Sequence, residues 1–550
     1  MKKQLVAALV SVILAMVIIA VPGNAYAQTA PKNQSVQIKN VIFLIPDGMS
    51  MGGVTLARWF QGGKPLAMDE LACGLVRTYN ADTPIADSAP AGTAYATGYK
   101  TNSPYIAVLP SKAGMWGVPP ATTPFRPVAT ILEAARLAGK STGLVTTCEI
   151  PHATPADFSA HAPSRKNYDD ILEQQVYNGL TVVFSGGYQY LESKNRKDKE
   201  DLVQELKNLG YTYITTKNEF DSLKITGNSL VWGLFAPVDL AYEIDRDKNT
   251  EPSLAEMTKK AIDILSQNNK GFFLMVEGSK IDWAAHANEP VGLVHDILAF
   301  DEAVRVAVQF AKSRNDTIII IASDHGNSGI TIGDRSITSG YDKIPLSTFL
   351  KPLEAAKKSG YVFASLLKED KSNLLDVLAN VYGITDATQE EIDLIKNTKL
   401  DAYTGMSLIG GLIAKRAKIG FTTGGHTGED VVLYVYAPQG AKKLTGTVQN
   451  TDIAWYMAEM LGLNLYGASQ YLYVPAEELF KTSGAKLETD FSNPNNPVLV
   501  VKTGTREIIF PVNKNYCIVN GKNQKLDGVT VYIAETKSWY INAKALEFLK

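Results

Sequence analysis

The chain has 550 residues, 45% of them hydrophobic and 20% charged, with a formal net charge of −2. That much apolar material can bury a large core and more than one folded unit. The near-neutral balance, with no long charge run, excludes a basic nucleic-acid surface, and three cysteines (Cys73, Cys148 and Cys517) give no disulfide framework.

Residues 1–27 read as a secretory signal peptide. Lys2 and Lys3 form a basic start, an apolar run follows from Leu5 to Val21, and Ala25-Tyr26-Ala27 is a small-x-small cleavage site before Gln28. The run is long for a signal, so an uncleaved membrane anchor is the alternative. No cysteine follows it to carry a bacterial lipid, and no later stretch reaches membrane-spanning length. The expected location is secreted, periplasmic or associated with a bacterial cell envelope. Residues 28–37 read as a short linker into a domain spanning 38–490.

Val41 to Ile45 is a continuous apolar run that ends in Pro46-Asp47-Gly48. Gly143–Thr147, Phe272–Val276, Thr317–Ala322 and Val431–Tyr436 are similar runs. Runs of this kind suit strands buried on both faces of a parallel sheet. Helical patterns lie between them, at Pro127–Ala138 and over the longer Pro290–Lys312. The alternation predicts an α/β fold: a three-layer sandwich with a mostly parallel central sheet. Two stretches read as insertions: Ser185–Asn269, with mixed signals, and the helix-rich region between His325 and His426, expected over the site. Residues 491–497, with Ser492-Asn493-Pro494-Asn495-Asn496-Pro497, read as a linker. Residues 498–550, with turn signals at Asn520-Gly521 and Asp527-Gly528, read as a small β-rich appendage.

The chemistry-bearing residues gather just after the strands, where open α/β sheets place their ligands. Asp47 follows the first run, and Asp324-His325 follows Thr317–Ala322. In Asp87-Ser88-Ala89-Pro90-Ala91-Gly92, Ser88 begins a small-residue helix whose N-terminal N–H groups favour a phosphate. It reads equally as a plain N-cap serine. Asp282 and His286 are spaced i, i+4, so on a helix they share a face and can bind one metal. A surface ion pair or a satisfied core histidine fits that spacing too. His426 lies in the flexible Gly424-Gly425-His426-Thr427-Gly428 loop. The chain has only six histidines, and three of them fall in these motifs. Oxygen and imidazole donors of this kind suit zinc.

As a set, Val41–Ser50, Asp87–Gly98, Thr146–Arg165, Val276–His286, Ser323–Gly326 and Gly425–Gly428 resemble the alkaline phosphatase family, in order and spacing, over about residues 38–480. The resemblance implies two zinc ions and one magnesium ion. Asp282, His286 and His426 would hold one zinc. Asp47, Asp324 and His325 would hold the second, with Ser88 as nucleophile upon it. Asp47, Glu277 and Thr154 would hold the magnesium. Arg165 matches the family's phosphate-clamping arginine, although local sequence alone reads it as a solvated surface residue. The implied activity is phosphate-monoester hydrolysis through a phosphoserine on Ser88, with an alkaline preference and a homodimer.

Two positions depart from many relatives. His152 stands where a carboxylate is common near the magnesium, which leaves the identity of that ion open. Trp283 stands where Lys or His is common near the phosphate, and an indole adds no positive charge there. His161 and His295 match no ligand position and read as structural. A phosphodiesterase of the same superfamily is the alternative function, and a non-catalytic phosphate- or metal-binding envelope protein is another. A sulfatase lacks support, because the Arg of its nucleophile motif is missing after Ser88-Ala89-Pro90. Small phosphate monoesters are the expected partners, with no nucleic acid and no membrane span after signal removal.

Overall fold

The computed structural model describes residues 36–120, 122–504 and 506–549. The signal-peptide reading of 1–27 and most of the 28–37 linker lie outside the described residues. Among the described residues, no helix is long and apolar enough to cross a membrane.

A ten-stranded sheet forms the centre. Its order across the sheet is Gly446–Gln449, Ala72–Arg77, Val431–Tyr436, Thr317–Ala322, Asn40–Pro46, Phe272–Gly278, Ser141–Glu149, Val182–Gly186, Val231–Leu234, Thr212–Ile214. All pairings are parallel except those of Val431–Tyr436, which runs antiparallel to both neighbours. The fold is therefore the α/β sandwich expected from the buried runs. Alternation along each central strand feeds two cores. Ile42 and Leu44 pack with the helices Met51–Phe60, Leu254–Leu265 and Pro290–Lys312 on one face. Val41, Phe43 and Ile45 pack with Ile131–Leu137 and Asn450–Leu461 on the other.

Several boundaries differ from the sequence reading, each for a local reason. The helix read at Pro127–Ala138 begins at Ile131, because Thr130 and Glu133 form a capping box that fixes the start there. Residues 185–269, read as an insertion with mixed signals, extend the sheet instead, since two of their strands form its edge. The region between His325 and His426 is helical as read, and Ala402–Arg416 packs it onto Pro290–Lys312.

At the C-terminus a five-stranded antiparallel sheet runs in sequence order through Lys486–Asp490, Val498–Thr503, Arg506–Pro511, Tyr516–Val519 and Lys522–Lys525. Residues 491–497, read as a linker, connect its first two strands. The sheet has its own apolar cluster around Leu499, Val501, Ile508, Phe510 and Trp539. A buried polar knot ties it to the body: Lys514 pairs with Glu173 and Glu200, and Asn513 Nδ2 donates to Glu173 at 2.8 Å.

Candidate active site and metal centre

Parallel strands deliver their C-terminal ends to one edge of the sheet. Register places Pro46 beside Gly278 and Leu44 beside Ile321, so Asp47, Glu277 and Asp324 emerge there together. Val431–Tyr436 runs the opposite way, so the chain enters that strand at the same edge. This brings His426 in from the far side of the sequence. A two-residue ladder pairs His426 with Asn327 and Thr427 with Gly326, which pins the glycine-rich loop to the Asp324-His325 turn.

Gly48 turns the chain out of the first strand with a φ of +66°, a conformation that favours glycine. A Cβ there would lie 2.3 Å from Asp282 Oδ1. The Gly48 N–H donates to Asp324 Oδ1 at 3.1 Å. The helix Ser88–Thr97 is buried throughout, and its small residues allow close packing on the helix Ala153–Ser159. Ser88 thus starts a helix as read. Its N-cap is Asp87, whose side chain makes no cap hydrogen bond. That carboxylate instead accepts from Arg165 Nη1 at 2.7 Å and from Ser103 Oγ at 2.9 Å.

The histidines converge as the motifs required. His286 Nε2 lies 3.3 Å from Asp282 Oδ2, and His426 Nε2 lies 3.6 Å from Asp282 Oδ1. The two Nε2 atoms stand 2.9 Å apart. His325 Nε2 lies 3.2 Å from Asp324 Oδ2, 3.5 Å from Asp47 Oδ1 and 3.3 Å from Ser88 Oγ. The rings of His325 and His426 stack with centroids 3.6 Å apart, so the two groups of donors adjoin. Three sets could each hold an ion, with ligand atoms within 4.8 Å of one another: Asp282, His325 and His426; Asp47, Asp324 and His325; Cys148, His152 and Glu277. Thr154 Oγ1 is buried nearby, as is the Glu277 carboxyl.

The electrostatics show what the pocket lacks. Asp47 sits well above the ordinary carboxylate range, through burial first and then the charges of Asp324, Asp282 and Glu277. Burial, then Asp324, push Glu277 up to about 8. Burial opposes ionisation of Asp282 too, but its hydrogen bond to His286 and the neighbouring imidazoles hold it below the usual range. Both Asp47 oxygens, Asp324 Oδ2, Glu277 Oε1 and Thr154 Oγ1 are buried with no hydrogen-bond partner among the described residues. Orphaned buried acceptors are costly. These are the atoms that divalent cations would satisfy, so the donor set fits bound metal.

Around this centre, Arg165 Nη2 lies 3.0 Å from His152 Nε2. The His152 ring meets Trp283 edge-on with centroids 5.7 Å apart. Lys280, buried and paired with Asp239, lies 4.2 Å from the centroid of the Trp283 ring. His161 and His295 sit away from the cluster. His161 bonds Ala107 O and Glu133, and His295 packs against Phe60. The sequence reading missed three contributors. Asn327 Nδ2 donates to Asp282 Oδ1 at 2.6 Å, and its place just after Asp324-His325-Gly326 was a usable signal. Cys148, read as a small buried hydrophobe, reaches the Glu277 pocket. Asp157, buried with Oδ2 unpartnered among the described residues, lies under Gly92 in the helix Ser88–Thr97.

The family description Alkaline phosphatase matches residues 38–463. Alkaline phosphatase 4 of Bacillus subtilis (strain 168) is 39% identical over 443 residues, covering 78% of this chain and 89% of that protein. The crystal structure of Thermus thermophilus alkaline phosphatase superposes with a TM-score of 0.69 at 27% identity, covering 81% of this chain and 96% of that one. A mutant of the alkaline phosphatase from the Antarctic bacterium TAB5, with Mg bound in its M3 site, has a TM-score of 0.54 at 26% identity, covering 78% and 99%. With the family match spanning residues 38–463 and a relative this similar over most of both chains, the chain belongs to the alkaline phosphatase family.

Proposed function

We propose that the protein is a secreted, metal-dependent phosphomonoesterase that works through a phosphoserine on Ser88. The observation that carries this reading is the convergence of orphaned, buried acid oxygens on a serine hydroxyl at a helix N-terminus. In this reading Asp282, His286 and His426 hold one zinc, and Asp47, Asp324 and His325 hold a second. Asp47, Glu277 and Thr154 hold a third cation, magnesium in the family resemblance.

Divalent cations bound there supply the positive charge that favours an ionised serine oxygen and a departing oxyanion. Ser88 gives its hydroxyl proton to solvent, its Oγ attacks phosphorus in line, the bond to the ester oxygen breaks, and the leaving group takes a proton from solvent. Water then attacks the phosphoserine from the side the leaving group vacated, restoring the Ser88 hydroxyl and releasing inorganic phosphate. The N–H groups at the start of the Ser88 helix face the developing charge. Arg165 is held by Asp87 and His152, which leaves its remaining guanidinium donors to fork onto two phosphate oxygens. A dianionic monoester matches that density of positive charge better than a diester.

The test is Ser88→Ala in the mature enzyme, assayed on an aryl phosphate monoester and the matching diester, with metal content measured in parallel. Monoester turnover should collapse while the metal stays bound. Undiminished turnover would refute the nucleophile assignment, and a preference for the diester would favour a phosphodiesterase.

A further inference from the structure

The third group of donors does not suit magnesium. Cys148 Sγ lies 3.5 Å from Glu277 Oε2, on the strand beside Glu277. Magnesium demands octahedral oxygen ligands and keeps its waters, whereas a thiol selects softer ions. Zinc holds sulfur at about 2.3 Å and carboxylate oxygen at about 2.1 Å, so the two ligands on one tetrahedral ion stand about 3.6 Å apart. The separation here already matches that value.

His152 completes the trio by proximity, but its hydrogen bonding argues against ligation. Guanidinium has donors and no acceptor, so His152 Nε2 must accept from Arg165 Nη2. The ring proton therefore sits on Nδ1, which is buried without a hydrogen-bond partner among the described residues. His152 could offer a lone pair to a cation only by releasing Arg165. The Cys148 thiol donates only weakly, to Glu277 Oε2 and Thr146 Oγ1 at 3.5 Å each. Glu277 Oε1 and Thr154 Oγ1, both buried and without partners among the described residues, complete a pocket that wants a cation.

We infer that Cys148 is a direct ligand of the third cation, and that this site takes zinc or cobalt in preference to magnesium. The inference rests on the reading of Glu277 and Thr154 as ligands of that cation. On binding, the Sγ–H bond breaks, the sulfur–metal bond forms and the proton leaves to solvent. His152 stays bonded to Arg165 and takes no part in holding the cation.

X-ray absorption at the zinc edge of the zinc-loaded wild-type enzyme tests this without any substitution. One sulfur at about 2.3 Å is expected. Cys73 bonds Leu433 O and Leu444 O on a strand between Gly446–Gln449 and Val431–Tyr436, and Cys517 lies in the C-terminal core, so neither can supply it. The cobalt-loaded enzyme should show a near-ultraviolet sulfur-to-cobalt band that vanishes in Cys148→Ser and persists in Cys73→Ser. In that variant zinc should bind the third site roughly tenfold more weakly, with magnesium taking its place. Absence of zinc–sulfur scattering, a cobalt band that survives Cys148→Ser, or magnesium retained over zinc by the wild type would each overturn the inference. Phosphoserine trapping on Ser88 is read separately, so a failed Cys148 assignment leaves the phosphatase reading standing, and a failed trapping does not.

Discussion

His286 and His426 face each other Nε2 to Nε2 at 2.9 Å, and neither ring can turn away. His286 Nδ1 lies 2.8 Å from Gly424 O, and His426 Nδ1 lies 2.8 Å from Ala86 O. Carbonyls only accept, so both Nδ1 atoms carry protons and both Nε2 atoms turn toward the same point, beside the Asp282 carboxylate. A cation there would be held by both rings and the carboxylate at once. His426→Ala should therefore cost roughly 10- to 100-fold in cation affinity, with a parallel loss of monoester turnover partly restored by excess zinc. Metal analysis after dialysis checks this, and unchanged zinc retention would show that the pair is not a ligand set.

Gly48 offers a sharper test, because it has no side chain to hold an ion or a phosphate. Ala at this position meets two penalties: a left-handed backbone that costs about 1–2 kcal/mol, and a methyl 2.3 Å from Asp282 Oδ1. Gly48→Ala should fold with native circular dichroism yet bind less zinc and turn over slowly. Full activity in this variant would mean that Asp282 is free to move.

Trp283 lies edge-on to His152 and face-on to Lys280. The Lys280 ammonium over the indole is already paired with Asp239, so it adds little free positive charge on this side. Trp283→Lys should tighten product inhibition by inorganic phosphate. An unchanged inhibition constant would remove Trp283 from any role in phosphate retention.

Glu133 gives a prediction on stability. Its carboxylate is buried and accepts from Thr130 N at 3.0 Å, His161 Nε2 at 3.2 Å and Asn178 Nδ2 at 3.2 Å. Burial would raise its pKa, but His161 and the other donors outweigh burial and hold it below the ordinary 4.5. The folded value thus lies below the unfolded one. The stabilisation is fully present above about pH 4.5 and is lost as pH falls through the folded value. Glu133→Gln should cost about 3–5 kcal/mol near neutral pH, the loss expected when one partner of a buried pair is removed. The gap between variant and wild type should shrink in denaturant melts at acid pH, and a gap that widened on acidification would reverse the sign of the argument.

Much of this site was legible in the chain because its acids follow uninterrupted apolar runs. Asp47 and Asp324 could be placed at strand ends from hydrophobicity alone, and Asp282 and His286 from helical spacing. Cys148 was opaque for the opposite reason. It lies inside a buried strand, where a small thiol is ordinarily packing, and only the strand beside it shows that it faces Glu277. Asp157 and the anchoring role of Asp87 needed the packing of two helices that no local pattern reveals. The C-terminal sheet was read twelve residues short. Its first strand, Lys486–Asp490, alternates exposed and half-buried residues and carries few apolar side chains, so it resembles a loop until its partner Val498–Thr503 is seen.

The reversed direction of Val431–Tyr436 fixes when this enzyme can be born. Its acids and its nucleophile are synthesised early, but His426 enters only as that late strand docks between Ala72–Arg77 and Thr317–Ala322. Until then the bay of Asp47, Asp282 and Asp324 lacks its last imidazole. Any cation held through His426 must therefore wait until the chain has been made past Tyr436.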